Sequence, residues 1–198
     1  MNTLQFPITF TFKIGTISND FFASDANGRV IAYVRQKLFK LVDHIEVFSD
    51  ESRNKKLYDI KANKWIDFSA TYTFYDENNN KSGSVGRKGM RSLWKASYSI
   101  MNKNDNPIFE ITEENAWVKV LDGLVEGIPG LNLLTGYLFN PSYLISDQKG
   151  NQPFRIKKEP SLFGRKFIVH KLNNSKDDNE TAVLLGTMMM LVLERERG

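Results

Sequence analysis

The chain has no cysteine, which excludes disulfide bridges, thiolate metal sites and cysteine nucleophiles at once. Histidine is almost as scarce. His44 and His170 are the two copies, and neither an H-x-x-H nor an H-E-x-x-H spacing occurs, so neither a metal nor a cofactor is expected. No G-x-S-x-G nucleophile elbow is present. The glycine-bearing run Gly83-Ser84-Val85-Gly86-Arg87-Lys88-Gly89 lacks the G-x-x-x-x-G-K-[ST] spacing of a phosphate loop, and no helical pattern follows it. The acidic pairs Glu113-Glu114 and Asp43 with Glu46 have nothing to select them over ordinary surface carboxylates. With no catalytic constellation, the expectation is a protein that is not an enzyme.

Long apolar runs are missing too. The longest, Ala182 to Leu193, is broken by Gly186 and Thr187 and falls short of the roughly 20 residues of a membrane span. Met1 to Pro7 has neither a basic leader nor a long apolar stretch, so no signal peptide is expected. These features point to a cytoplasmic protein without a transmembrane span, with peripheral membrane contact left open. The charge excess is small: +4, with an isoelectric point near 9.1. Such a balance permits contact with phosphate or anionic lipid but does not single it out.

What is present is periodic. Asx-rich turns recur at Asp25-Ala26-Asn27-Gly28, Asp50-Glu51-Ser52, Asp76-Glu77-Asn78-Asn79-Asn80 and Asn102-Lys103-Asn104-Asp105. Their starts lie 25, 26 and 26 residues apart, and Ser146-Asp147-Gln148-Lys149-Gly150 follows after a longer gap. Asx and glycine suit such turns because they tolerate positive φ and hydrogen-bond their own backbone. Around the turns the pattern has period two: Phe6, Ile8, Phe10, Phe12; Phe68, Ala70, Tyr72, Phe74; Trp94, Ala96, Tyr98, Ile100. This marks half-buried strands joined as hairpins. After each hairpin comes a basic stretch with a bulky residue, as in Arg35 to Lys40, Lys61 to Trp65, Arg87 to Trp94 and Lys157 to Phe163. The unit is strand, Asx turn, strand, basic corner. About six such hairpins give roughly twelve strands, enough to close a barrel and remove its edges.

Two segments break the pattern. Residues 122–141 are apolar and glycine-rich, an insertion read as a short helix plus loop over one barrel end. At the C-terminus, Asp177-Asp178-Asn179-Glu180 resembles a capping box with Asp177 as N-cap, and Thr181 to Leu193 is apolar on every side. A helix of that kind must be buried all round. Twenty helical residues span about 30 Å, comparable with a barrel's height. The fold class expected is therefore mostly β: one domain over 1–198, a closed antiparallel barrel of about twelve strands around a central helix at 178–196. Met188, Met189 and Met190 then read as gap-fillers of that core.

Hairpins of this kind with a closing all-apolar helix resemble the LURP-one-related proteins, which share the tubby C-terminal-like fold with tubby proteins and phospholipid scramblases. The resembling segments are Arg29 to Glu114 and Tyr137 to Leu193, above all Tyr72 through Ile100 and Tyr143 through Lys171. The resemblance implies a twelve-stranded barrel around a central helix. It links the fold to phosphoinositide binding in tubby domains, lipid movement in scramblases and defence in plant members. Scramblases carry a cysteine-rich palmitoylated segment, and this chain departs from them there.

Lys81 to Asn104 holds six basic residues and no acidic one, with Trp94 and Tyr98 interleaved. Arg87, Lys88, Arg91 and Lys95 from this tract, with Lys157, Lys158, Arg165 and Lys166, form the candidate anion-binding set. The bland alternative is a solvated face whose lysines discourage aberrant strand pairing. The expected function is a non-enzymatic binding module for an anionic phospholipid headgroup or another phosphate-bearing ligand. The alternatives are a protein-interaction or regulatory domain using the apolar 122–141 segment, and scramblase-like lipid handling. A nucleic-acid partner is favoured by charge alone, and no stacking platform supports it.

Overall fold

The computed structural model describes residues 4–14, 20–37, 44–63, 70–87, 97–114, 141–159, 166–173 and 179–196. They form twelve strands: β1 (Ile8–Phe12), β2 (Phe21–Ser24), β3 (Val30–Lys37), β4 (His44–Phe48), β5 (Lys56–Ala62), β6 (Thr71–Asp76), β7 (Lys81–Arg87), β8 (Ser97–Asn102), β9 (Pro107–Glu113), β10 (Ser142–Asp147), β11 (Phe154–Glu159) and β12 (Lys166–Lys171). One helix, α1 (Glu180–Glu196), follows. Each strand pairs antiparallel with its sequence neighbours, and β1 pairs with β12, so the barrel is closed. Closure leaves none of these twelve described strands with a free edge to recruit another chain.

The period-two pattern fixes which side chains line the barrel. Ile8, Phe10 and Phe12 of β1, Tyr72 and Phe74 of β6, Tyr98 and Ile100 of β8, and Tyr143 and Ile145 of β10 are all buried. They meet the helix, where Val183, Leu184, Leu185 and the run from Met188 to Val192 are at most 2% exposed. Fully burying each such side chain stabilises by about 1.5–3 kcal/mol, which is why a helix apolar on every side sits inside a wall of aromatics. The three consecutive methionines are fully buried, as gap-filling requires. Among the described residues, no helix is long and apolar enough to cross a membrane.

The Asx turns close the hairpins at one barrel end. In each, the carbonyl of Asp25, Asp50, Asp76, Asn102 or Asp147 accepts from the N–H three residues on. The side-chain oxygen of the same residue accepts from the N–H two residues on. The residue three past the Asx has positive φ: Gly28, Arg53, Asn79, Asp105 and Gly150. This is the type I turn followed by a left-handed residue that joins strands with a bulge.

Among the described residues, α1 begins directly after Asn179. The first helical bond runs from the Val183 N–H to the Asn179 carbonyl, which makes Asn179 the N-cap and Glu180 the first helical residue. Glu180 is anchored by Lys171 of β12, whose Nζ lies 2.7 Å from its carboxylate. The expected boundary at 178 and Asp177 itself lie outside the described residues, as does all of 122–141 except Pro141.

Candidate binding surface at one barrel end

Hairpin turns occupy one end of the barrel, so the other end, here the corner end, collects the starts of even-numbered strands and the ends of odd-numbered ones. Four of the candidate cations belong to it. Arg87 ends β7, Lys157 and Lys158 lie near the end of β11, and Lys166 begins β12. Lys88, Arg91 and Lys95 fall in the β7–β8 connection and Arg165 in the β11–β12 connection, outside the described residues.

The four share an end but not a face. Directly opposed residues of an antiparallel pair point to the same side of the sheet. Arg87 opposes Tyr98 and Lys158 opposes Phe167, so both stand on the inner face, at the mouth. Lys157 opposes Ser142 and Ile168 on the outer wall, where it is exposed. Lys166, also outward, opposes Glu159 and pairs with it at 3.0 Å. Three strands, β8 to β10, separate β7 from β11.

The mouth is where α1 ends. Glu194, in the last turn, accepts from the Tyr98 hydroxyl at 2.5 Å and from the Tyr143 hydroxyl at 3.5 Å. A carboxylate at a helix C-terminus opposes the helix dipole, so these two donors offset an unfavourable placement. Burial, then the nearby Glu194 and Glu113 carboxylates, push the Tyr143 phenol well above its ordinary value, so it stays protonated and able to donate. Arg195 lies over the Phe12 ring at 4.8 Å.

On the outer wall beside Lys157, Glu114 accepts from Ser142 Oγ at 2.8 Å and from the Arg155 guanidinium. Burial raises the Glu114 carboxyl, and these bonds outweigh it, holding the group below its ordinary range.

A second polar cluster lies on the outer wall of β4 and β5. His44 and Glu46, two residues apart, share the outward face, and Glu46 opposes Asp59 in register. His44 Nε2 is 2.7 Å from Asp59 Oδ1, and Lys56 Nζ is 2.6 Å from Asp59 Oδ2. Burial raises the Asp59 carboxyl, and the bonds from Lys56 and His44 outweigh it and hold it low. Sequence spacing alone missed this grouping because Asp59 reaches it only through the β4–β5 register. The legible half of the signal was His44-x-Glu46 at strand period.

The family model described as LURP-one-related matches residues 30–126, a span that includes β3 to β9. No curated protein and no solved structure matches the chain. The matched hairpins, the closed twelve-strand barrel and the buried C-terminal helix agree, and over residues 30–126 the chain is similar to the LURP-one-related family.

Proposed function

We propose that this domain is a non-enzymatic binding module that docks a phosphate-bearing ligand, with an anionic phospholipid headgroup as its target, through the corner end of the barrel. One observation carries the reading: Arg87, Lys157, Lys158 and Lys166, from three strands, belong to the same barrel end. A flat anionic surface can meet inward and outward cations together when both stand on the rim. Each Lys or Arg near an anionic membrane surface adds about 1 kcal/mol, so even a partial set gives measurable attraction. The ion pair of Lys166 with Glu159 removes part of that attraction. Flotation with phosphatidylserine-containing vesicles tests the reading. Binding should fall as salt rises and should weaken in Arg87→Gln/Lys157→Gln/Lys158→Gln, with neutral vesicles leaving the protein unbound. Equal recovery with anionic and neutral vesicles, or no response to the triple substitution, would refute it.

A further inference from the structure

We infer that the outer wall of β4 and β5 carries a site for a first-row divalent transition ion of the zinc type, with His44, Glu46 and Asp59 as ligands. The ligand atoms of these three side chains all lie within 4.8 Å of one another. Their convergence is set by strand geometry. Period two puts His44 and Glu46 on one face, and the β4–β5 register puts Asp59 directly opposite Glu46. A site on two paired strands is held more precisely than one on loops.

Two carboxylates directly opposed across a strand pair repel, and Lys56 and Arg35 relieve part of that cost from the sides, leaving a bound ion to bridge the pair. Asp59 is 8% exposed, so its charge is poorly served by water. Lys56 serves Oδ2 of Asp59, while Oδ1 faces the imidazole of His44. Arg35 opposes Glu46 from β3. A neutral imidazole nitrogen with two carboxylates is a borderline donor set. It suits Zn²⁺, Co²⁺ or Ni²⁺ better than Ca²⁺ or Mg²⁺, which take oxygen ligands alone. Three protein ligands leave the fourth position of a tetrahedral ion to water. Loading requires the His44–Asp59 hydrogen bond to open and the metal to replace it. Lys56, 41% exposed, can stay on the distal oxygen or swing into solvent, and its charge sets the affinity below that of a dedicated closed site.

The test uses the full chain, free of any tag, stripped with chelator and titrated with zinc chloride by calorimetry near neutral pH. One ion should bind per chain, Ca²⁺ should not compete, and Co²⁺ should give a visible ligand-field band. The chain has two histidines, so assignment is direct. His44→Gln should weaken binding by more than the roughly tenfold to hundredfold that loss of a mere supporting partner costs. Glu46→Gln should also weaken it, and His170→Gln should leave it unchanged. Zinc should shift the imidazole nitrogen resonances of His44 in the unmutated protein and leave those of His170 in place, which answers the question even if a variant fails to fold. Absence of saturable binding in the unmutated chain, binding that survives His44→Gln, or a shift confined to His170 would each overturn the assignment.

Discussion

A Cβ placed on Gly186 of α1 would stand 2.6 Å from Cδ1 and 2.8 Å from Cγ1 of Ile100 on β8. The helix and the wall touch there because residue 186 has no side chain. Gly186→Ala gains about 1 kcal/mol of helix propensity but forces extra volume into a filled core, which costs about 1–3 kcal/mol. The net effect should be destabilisation, read as a lowered urea midpoint. Ile100→Val alone removes one methylene at about 0.5–1.5 kcal/mol. In the Gly186→Ala background it should cost less or restore stability, because the two positions share one space. Additive losses in the double variant would show that the contact is not what makes glycine necessary.

The clamp on Glu194 makes a second prediction. Tyr98 donates at 2.5 Å and is fully buried, whereas Tyr143 donates at 3.5 Å. A hydrogen bond to a charged group is worth about 1.5–3 kcal/mol, and its loss leaves the carboxylate under-served at the wrong end of the helix dipole. Tyr98→Phe should therefore lower stability by about that amount, and Tyr143→Phe by distinctly less. Denaturation of both variants decides it. Equal losses would mean that the two hydroxyls hold Glu194 alike.

Much of this architecture was readable from residues alone, for identifiable reasons. Phe10, Phe74 and Tyr98 alternate with hydroxyl-bearing neighbours, and strand period leaves such residues one buried face. The Asx residues marked the turns because their side chains cap their own backbone. The apolar circumference of α1 demanded an enclosing wall. What escaped was set by register and by competing partners. The cap at Asn179 lies beside Glu180, and the sequence pattern did not single it out. Arg87 and Lys158 read as barrel-face cations, yet their opposition to Tyr98 and Phe167 turns them towards the mouth. The pairing of Glu46 with Asp59 depends on where the β4–β5 hairpin turns, and its register shifts between Val47 and Phe48. No periodicity within one strand encodes that.

The hairpin turns predict opposite responses at equivalent positions. Gly150 and Arg53 each lie three residues past an Asx, with φ of 86° and 60°. Nothing lies within 4 Å of a Cβ built on Gly150, so Gly150→Ala meets only backbone strain, about 1 kcal/mol. Arg53 already carries such strain. Arg53→Gly should raise stability by up to about 1 kcal/mol, reduced by the greater freedom of glycine in the unfolded chain. Thermal melts should move in opposite directions for the two variants. A fall for Arg53→Gly as large as that for Gly150→Ala would discredit the equivalence of the turns.

The last prediction concerns acid. Glu114 is held below its ordinary value of 4.5, since the bonds from Ser142 and Arg155 outweigh the effect of burial. A group whose folded value is depressed contributes stability that is fully present above its unfolded value and is lost as pH falls through the folded one. The Glu114–Arg155 pair is partly exposed, at 29% and 33%, so its coupling should be on the order of 0.5 kcal/mol. A double-mutant cycle of Glu114→Gln with Arg155→Met, followed by urea denaturation, should give that coupling at pH 7. As pH falls through the lowered folded value it should shrink because Glu114 takes up its proton, and at pH 7 in 1 M salt it should also shrink because the charges are screened. A coupling that high salt leaves unchanged would mean that the pair is held by packing rather than by charge.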